Sequence, residues 1–242
     1  MKIIDAKEVH FKTLNDKIKG CDDSQIKIEN CIGQRYICAG SGRGRTITIN
    51  GTPGNALGAY LDGANIAVNG NGQDATGDTM NDGSIVIYGN SGDATGYAMR
   101  GGSIFIQGDA GYRTGIHMKA YREKQPLIVI GGRTGSFLGE YQAGGTIIVL
   151  GIGCGGNPPV GYFTGTGMHG GRIFLRCDRL PNDLPEQVQA RPATQEDLAS
   201  IQGALDRFAD LFAADKQELM DSSYFVLTPN TANPYKRLYT YN

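Results

Sequence analysis

Apolar positions recur along this chain with a period of 19 residues. Ile47, Ile66, Ile85 and Ile104 are each one period apart. Two residues on from each stand Ile49, Val68, Ile87 and Ile106, then Gly51, Gly70, Gly89 and Gly108. The phrase returns at Ile128-Val129-Ile130-Gly131-Gly132 and Ile147-Ile148-Val149-Leu150-Gly151, and without its glycine at Ile173-Phe174-Leu175. The steps to these copies are 24, 19 and 26 residues, so two repeats carry insertions, over 116–126 and 151–161. Apolar alternation over three to five residues predicts short strands near 47–49, 66–68, 85–87, 104–106, 128–130, 147–149 and 173–175. A fixed period of about 20 residues means stacked units.

Glycines keep the same beat. Gly-x3-Gly-x5-Gly precedes the strands intact at Gly92/Gly96/Gly102, Gly135/Gly139/Gly145 and Gly161/Gly165/Gly171. Gly111/Gly115 opens a copy that the first insertion interrupts. Gly54/Gly58 ends in Ala64, and Gly77/Gly83 has Gln73 in place of its first glycine. Glycine serves where a chain turns with positive φ. Strands and glycine corners repeating together fit one coil of a β-solenoid, whereas a phosphate-binding glycine loop is a single event before a helix.

Between the second and third glycines the aligned coils place Leu61, Met80, Met99, Met118, Gln142 and Met168 in one column. A methionine row has the chemistry of a soft-metal site. It also fills a stacked core, since equivalent side chains of successive coils lie about 4.8 Å apart and Met adapts to such a column. The core reading is preferred, and no metal is expected. The position between the two inward strand residues faces the other way. That column reads Thr48, Ala67, Val86, Phe105, Val129, Ile148 and Phe174. A sheet apolar on both faces needs a cover on both.

Three segments follow from these patterns: a polar lead-in over 1–23, the solenoid over 24–178, and a linker, helix and tail over 179–242. Pro181, Pro185 and Pro192 mark an extended linker. Thr194 with Glu196 and Asp197 reads as a helix N-terminus. Leu198, Ile201, Leu205, Phe208 and Phe212 then recur at helical spacing, which predicts a helix to about Met220 lying on the outward column. The end, Tyr224–Pro229 and Pro234–Arg237, is expected to be extended.

Composition narrows the function. The net charge is −1 with pI near 6.3, so no global field favours nucleic acid or membrane. No apolar run reaches membrane-spanning length and no signal-peptide pattern opens the sequence. The five cysteines, Cys21, Cys31, Cys38, Cys154 and Cys177, contain no Cys-x2-Cys pair. Such scattered thiols point to a reducing, cytoplasmic setting.

Candidate chemistry is thin. Cys154, in the glycine-rich second insertion, is the best nucleophile, but no local pattern supplies a base. His117 lies beside the methionine column, and His169 at a coil corner. Asp62, Asp74, Asp78, Asp82, Asp93 and Asp109 fall mostly at turns, where Asp is ordinary; a sugar-cleaving β-helix needs clustered acids on one face. The nine-residue calcium repeat is absent. Arg43 and Arg45 in a glycine loop, and Arg122 in the first insertion, read either as solvated loop residues or as contacts to a partner chain or an anion, and Cys154 in the second insertion is a further candidate partner contact.

The repeated Gly-x3-Gly-x5-Gly followed by Ile-x-Ile-x-Gly resembles the GXGXG family, over roughly residues 25–240. The resemblance implies a single-stranded right-handed parallel β-helix of about seven turns with a C-terminal helix. It is the fold that closes the large subunit of glutamate synthase and recurs in one subunit of formylmethanofuran dehydrogenase. The closing helix and the tail Phe225–Pro229 with Pro234–Arg237 look like the glutamate synthase version. The implied role is a non-catalytic structural subunit of a glutamate-synthase-like complex, with no cofactor of its own. FMN and an iron–sulfur cluster would sit in partners: a separately encoded glutamine amidotransferase and an FMN-dependent synthase. The equivalent subunit of formylmethanofuran dehydrogenase, or of an N-methylglutamate-synthase-like enzyme, is the alternative. A stand-alone ligand-binding β-helix is the other class, and a homo-oligomer is compatible with all of them.

Overall fold

The isoleucines of the repeat pair one for one. In the computed structural model, which describes residues 1–230, Ile26, Ile47, Ile66, Ile85, Ile104, Ile128, Ile147 and Ile173 occupy one ladder of in-register partners. The strands carrying them are β2 (Gln25–Ile32), β3 (Thr46–Thr52), β4 (Asp62–Asn69), β5 (Asp82–Ile87), β6 (Ser103–Ile106), β7 (Leu127–Ile130), β8 (Ala143–Val149) and β9 (Gly170–Arg176). Each runs parallel to the next, so β3–β9 are the seven strands read from the period. The fold is a parallel β-solenoid, all-β but for a few helices. Both insertions loop out between strands and leave the isoleucine ladder in register.

The interior is one column of apolar side chains. Leu61, Met80, Met99, Met118 and Met168 are fully buried, beside the isoleucines and Val68. Gln142 shares the column, and its amide donates to the carbonyls of Gly144 and Gly145 at 3.2 Å.

The glycines follow from how tightly the coils stack. The middle glycine of each corner has positive φ, as at Gly58, Gly77, Gly96, Gly115, Gly139 and Gly165. At Gly115 (φ +72°) a Cβ would stand 2.5 Å from Ile147 Cδ1, in the strand of the next coil. Only glycine meets both the backbone and the packing demand. At Gly92, Gly111, Gly135 and Gly161, φ is not positive, and the cause is close approach alone: an added Cβ would meet the preceding coil within 2.9 Å. Gly102, Gly145 and Gly171 combine both causes, each with positive φ and a neighbour within 2.5 Å.

The lead-in is not a loose segment. β1 (Lys2–Asp5) pairs in parallel with β2, and α1 (Phe11–Lys19) tucks Leu14 and Ile18 into the end of the core. An open solenoid end exposes its apolar stack, and α1 is the plug. At the other end β10 (Val188–Pro192) and β11 (Tyr224–Pro229) add antiparallel, in the order β9-β11-β10. The proline-marked linker therefore ends in a strand. Pro234–Arg237 lies outside the described residues.

The outer face of the sheet is covered from β5 onward. Helix α2 (Gln195–Phe212) starts with a capping box between Thr194 and Asp197. Its Ile201, Leu205, Phe208 and Ala209 bury Val86, Phe105, Val129, Ile148 and Phe174. The helix is shorter than its sequence pattern suggests. Ala213 takes a left-handed conformation (φ 53°), and Asp215 caps a separate α3 (Lys216–Asp221), which turns Leu219 inward. The cover thus stops short of β2–β4, where the outward column is Lys27, Thr48 and Ala67, none of them buried. The outward column turns from polar or small to large and apolar where the helix reaches it.

Candidate docking surface

Each chemical candidate has a definite place. Cys154 is half-buried on the glycine-rich loop, and the hollow beside it is lined by Arg133, Thr134, Asn157 and Pro158–Gly161, none of which is a base. Cys31, Cys38 and Cys177 are buried, and desolvation pushes their thiols up to about 11, about 12 and about 11. Such thiols are poor nucleophiles at neutral pH. His10 accepts from the Lys12 amide at the start of α1. His117 stacks on Tyr141 at 5.1 Å, with Tyr97 edge-on at 5.9 Å. His169 Nδ1 lies 3.1 Å from the Gly167 carbonyl. Among the described residues no three His, Cys, Asp or Glu side chains converge on a metal position.

The aspartates serve the corners. Asp74 accepts the Asp93 amide, Asp93 the Tyr112 amide and Asp109 the Arg133 amide, each at 2.8–2.9 Å. Each caps the backbone of the coil above, so these acids follow from turn chemistry. Thr134 carries a buried hydroxyl without a partner. Two coils earlier the equivalent Ser91 bonds Thr95 at 2.6 Å, whereas four residues after Thr134 stands Leu138.

The basic candidates divide. Arg45 donates to the carbonyls of Ile18 (3.0 Å) and Cys21 (2.7 Å), which ties the end of α1 to the first coils. It is part of the fold. Arg43 reaches Asp82 at 3.1 Å, and Lys124 reaches Asp82 (3.2 Å) and the Asn81 carbonyl (3.1 Å) from the first insertion. The Gly83 amide, joined by Lys124 and Arg43, holds the Asp82 carboxyl below its ordinary value. The first insertion therefore folds back across earlier coils. Arg122, at its tip, lies over Tyr121 at 5.2 Å. Of the four residues read as partner contacts, Arg122 and Cys154 stay on exposed loops, Arg43 sits in an exposed pair, and Arg45 is occupied.

Sequence reading missed an aromatic corner. Tyr112 meets Phe137 edge-on at 5.3 Å and Phe137 lies tilted against Phe163 at 5.0 Å, with Tyr162 beside Phe163. Phe163 and Tyr162 are 49% and 68% exposed. Phe137 and Phe163 hold left-handed backbone (φ 60° and 61°), which costs a bulky residue roughly 1–2 kcal/mol each. The rings leave a partly exposed aromatic strip at this corner. The rings come from two adjacent coil positions, Phe137 with Phe163 and Tyr112 with Tyr162, and the two insertions break the 19-residue spacing that would align them.

Among the described residues no helix is long and apolar enough to cross a membrane. A family model described as the GXGXG motif matches residues 6–228. The chain is 44% identical over 250 residues to an uncharacterized protein of Methanocaldococcus jannaschii, covering 98% of this chain and 96% of that one. It is also similar in fold to a chain in the crystal structure of the formyltransferase/hydrolase complex of Methylorubrum extorquens, solved with methylofuran, at a TM-score of 0.64 and 19% identity over 92% of this chain and 88% of that one. The chain belongs to the GXGXG family.

Proposed function

We propose that this chain is a non-catalytic structural subunit that docks against the catalytic chains of a multi-subunit enzyme. The observation that carries the reading is the fold likeness over 92% of its length to a chain of a multi-subunit formyltransferase/hydrolase complex. Its own residues support the same role. No base lines the hollow of Arg133, Thr134 and Asn157 beside the nucleophile candidate, the acids Asp74, Asp93 and Asp109 cap coils, and the exposed features suit docking: the aromatic corner, Arg122 and the Cys154 loop.

Two kinds of complex fit. The comparison favours one of the formylmethanofuran type, with this chain in the position of the β-helix subunit. The second is a glutamate-synthase-like complex, or its N-methylglutamate relative. The closing helix followed by strand Tyr224–Pro229 supports it, as the end of the chain resembles that version. There the partners are a glutamine amidotransferase and an FMN-dependent synthase with an iron–sulfur cluster.

Isolation of the native complex through a tag on this chain separates them. Stoichiometric formyltransferase or molybdopterin-binding chains support the first reading. An amidotransferase with a flavin-containing chain supports the second. Recovery of this chain with no stoichiometric partner overturns the proposal.

A further inference from the structure

The sheet ends differently at its two edges. β10 forms one edge and carries Pro192, with Pro185 just before it. Proline has no N–H to offer an added strand. β1 forms the other edge, reads Lys2-Ile3-Ile4-Asp5, and pairs with β2 on one side only. The Ala6 amide donates to the Glu29 carbonyl. In a parallel ladder, residues bonded to the neighbour alternate with residues whose N–H and C=O point away. Ile4 and Ala6 therefore bond toward β2, and Ile3 and Asp5 present their backbone groups outward. The Ile3 side chain is 58% exposed, whereas Ile4 is buried. A groove of about 690 Å³ runs along this edge, walled on its far side by Lys17 and by Gly20–Asp23 at the end of α1.

We propose that β1 pairs antiparallel with β1 of a second copy, joining two solenoids end to end across a two-fold axis. An open edge is completed by a strand. Head-to-tail addition onto β10 is disfavoured by its proline, so the open edge closes on itself in an isologous pair. Equal faces meet when the outward residues oppose each other, which sets Ile3 of one copy against Ile3 of the other. The two exchange reciprocal N–H···O bonds and cover each other's exposed side chain. The groove carries both signs, Lys2 and Lys17 against Asp5, Asp22 and Asp23. A second copy of the same groove brings charges of both signs to it. The inference is independent of which enzyme the chain serves.

Sedimentation velocity of the full chain across the micromolar range tests it. Twice the 25.8 kDa chain mass is expected. Ile3→Pro should give monomer with an unchanged far-ultraviolet spectrum, since the outward Ile3 amide has no role inside the fold. A second measurement survives any folding defect of that variant. Opposed Cα atoms of such a pair lie about 5.5 Å apart, within disulfide reach. Ile3→Cys in a Cys21→Ser background should therefore form a covalent dimer on mild oxidation. A monomeric wild type, a dimer that persists in Ile3→Pro, or an Ile3→Cys chain that does not cross-link would overturn the proposal.

Discussion

Arg207 on the covering helix α2 donates to Ser84 at 2.7 Å, across 123 positions of chain. The same guanidinium reaches Ser103 at 3.3 Å and lies 4.7 Å over the Phe105 ring. It clamps α2 to strands β5 and β6, near the limit of the cover. Desolvation there lowers its pKa from the ordinary arginine value. Charge-assisted hydrogen bonds contribute about 1.5–3 kcal/mol. Arg207→Ala should cost a similar amount in urea unfolding, and Arg207→Lys most of it, because a single ammonium cannot span both serines.

Gly115→Ala tests the corner. The substitution combines left-handed strain of roughly 1–2 kcal/mol with overpacking of about 1–3 kcal/mol against Ile147. Gly153→Ala, also at positive φ but with nothing within 4 Å of the added carbon, should cost only the first part. Ile147→Val removes the clashing Cδ1 and should recover part of the Gly115→Ala loss. A double-mutant cycle reads the coupling, and strict additivity would show that the neighbouring coils move apart to accept the methyl group.

Asp197 sets an acid limit. Arg191 grips its carboxylate at 2.6 and 3.1 Å, and the Thr194 amide and hydroxyl each donate at 2.8 Å. Arg191 first, and then these hydrogen bonds, hold its pKa well below the ordinary carboxylate value. A depressed pKa contributes stability above the unfolded value, near 4, that is lost as pH falls through the folded one. Thermal melts should show stability falling steadily below about pH 4. In Asp197→Asn the melting temperature should be lower at neutral pH and its acid dependence weaker.

Ending the chain before Leu180 removes α2, α3, β10 and β11 together. Phe105, Val129, Ile148 and Phe174 lose their cover, and the β9 edge loses β11. Such a surface should aggregate, which light scattering would register. A truncated chain that stays monomeric and equally stable would show that the cover is dispensable.

The sequence by itself determined what depends on local spacing. Each coil makes the same demand at the same position, so the inward isoleucines, the methionine column and the corner glycines all surface as period and residue type. The strands followed from those positions, as did the start of α2, because a capping box is built within four residues. Contacts between distant segments left no such trace. Nothing in Leu14 and Ile18 marks them as a plug, since the opening they fill exists only once the coils are stacked. Arg45 reads like any loop arginine until α1 presents its terminal carbonyls to it. The helical pattern runs on past Phe212, but the break at Ala213 turns Leu219 onto the core, an advantage visible only in the assembled fold. The aromatic corner depended on registering coils through insertions whose lengths do not follow the period. The candidate surface was therefore only partly legible: its loops stood out as interruptions, while which side chains remain free was decided by the contacts made when the coils stack.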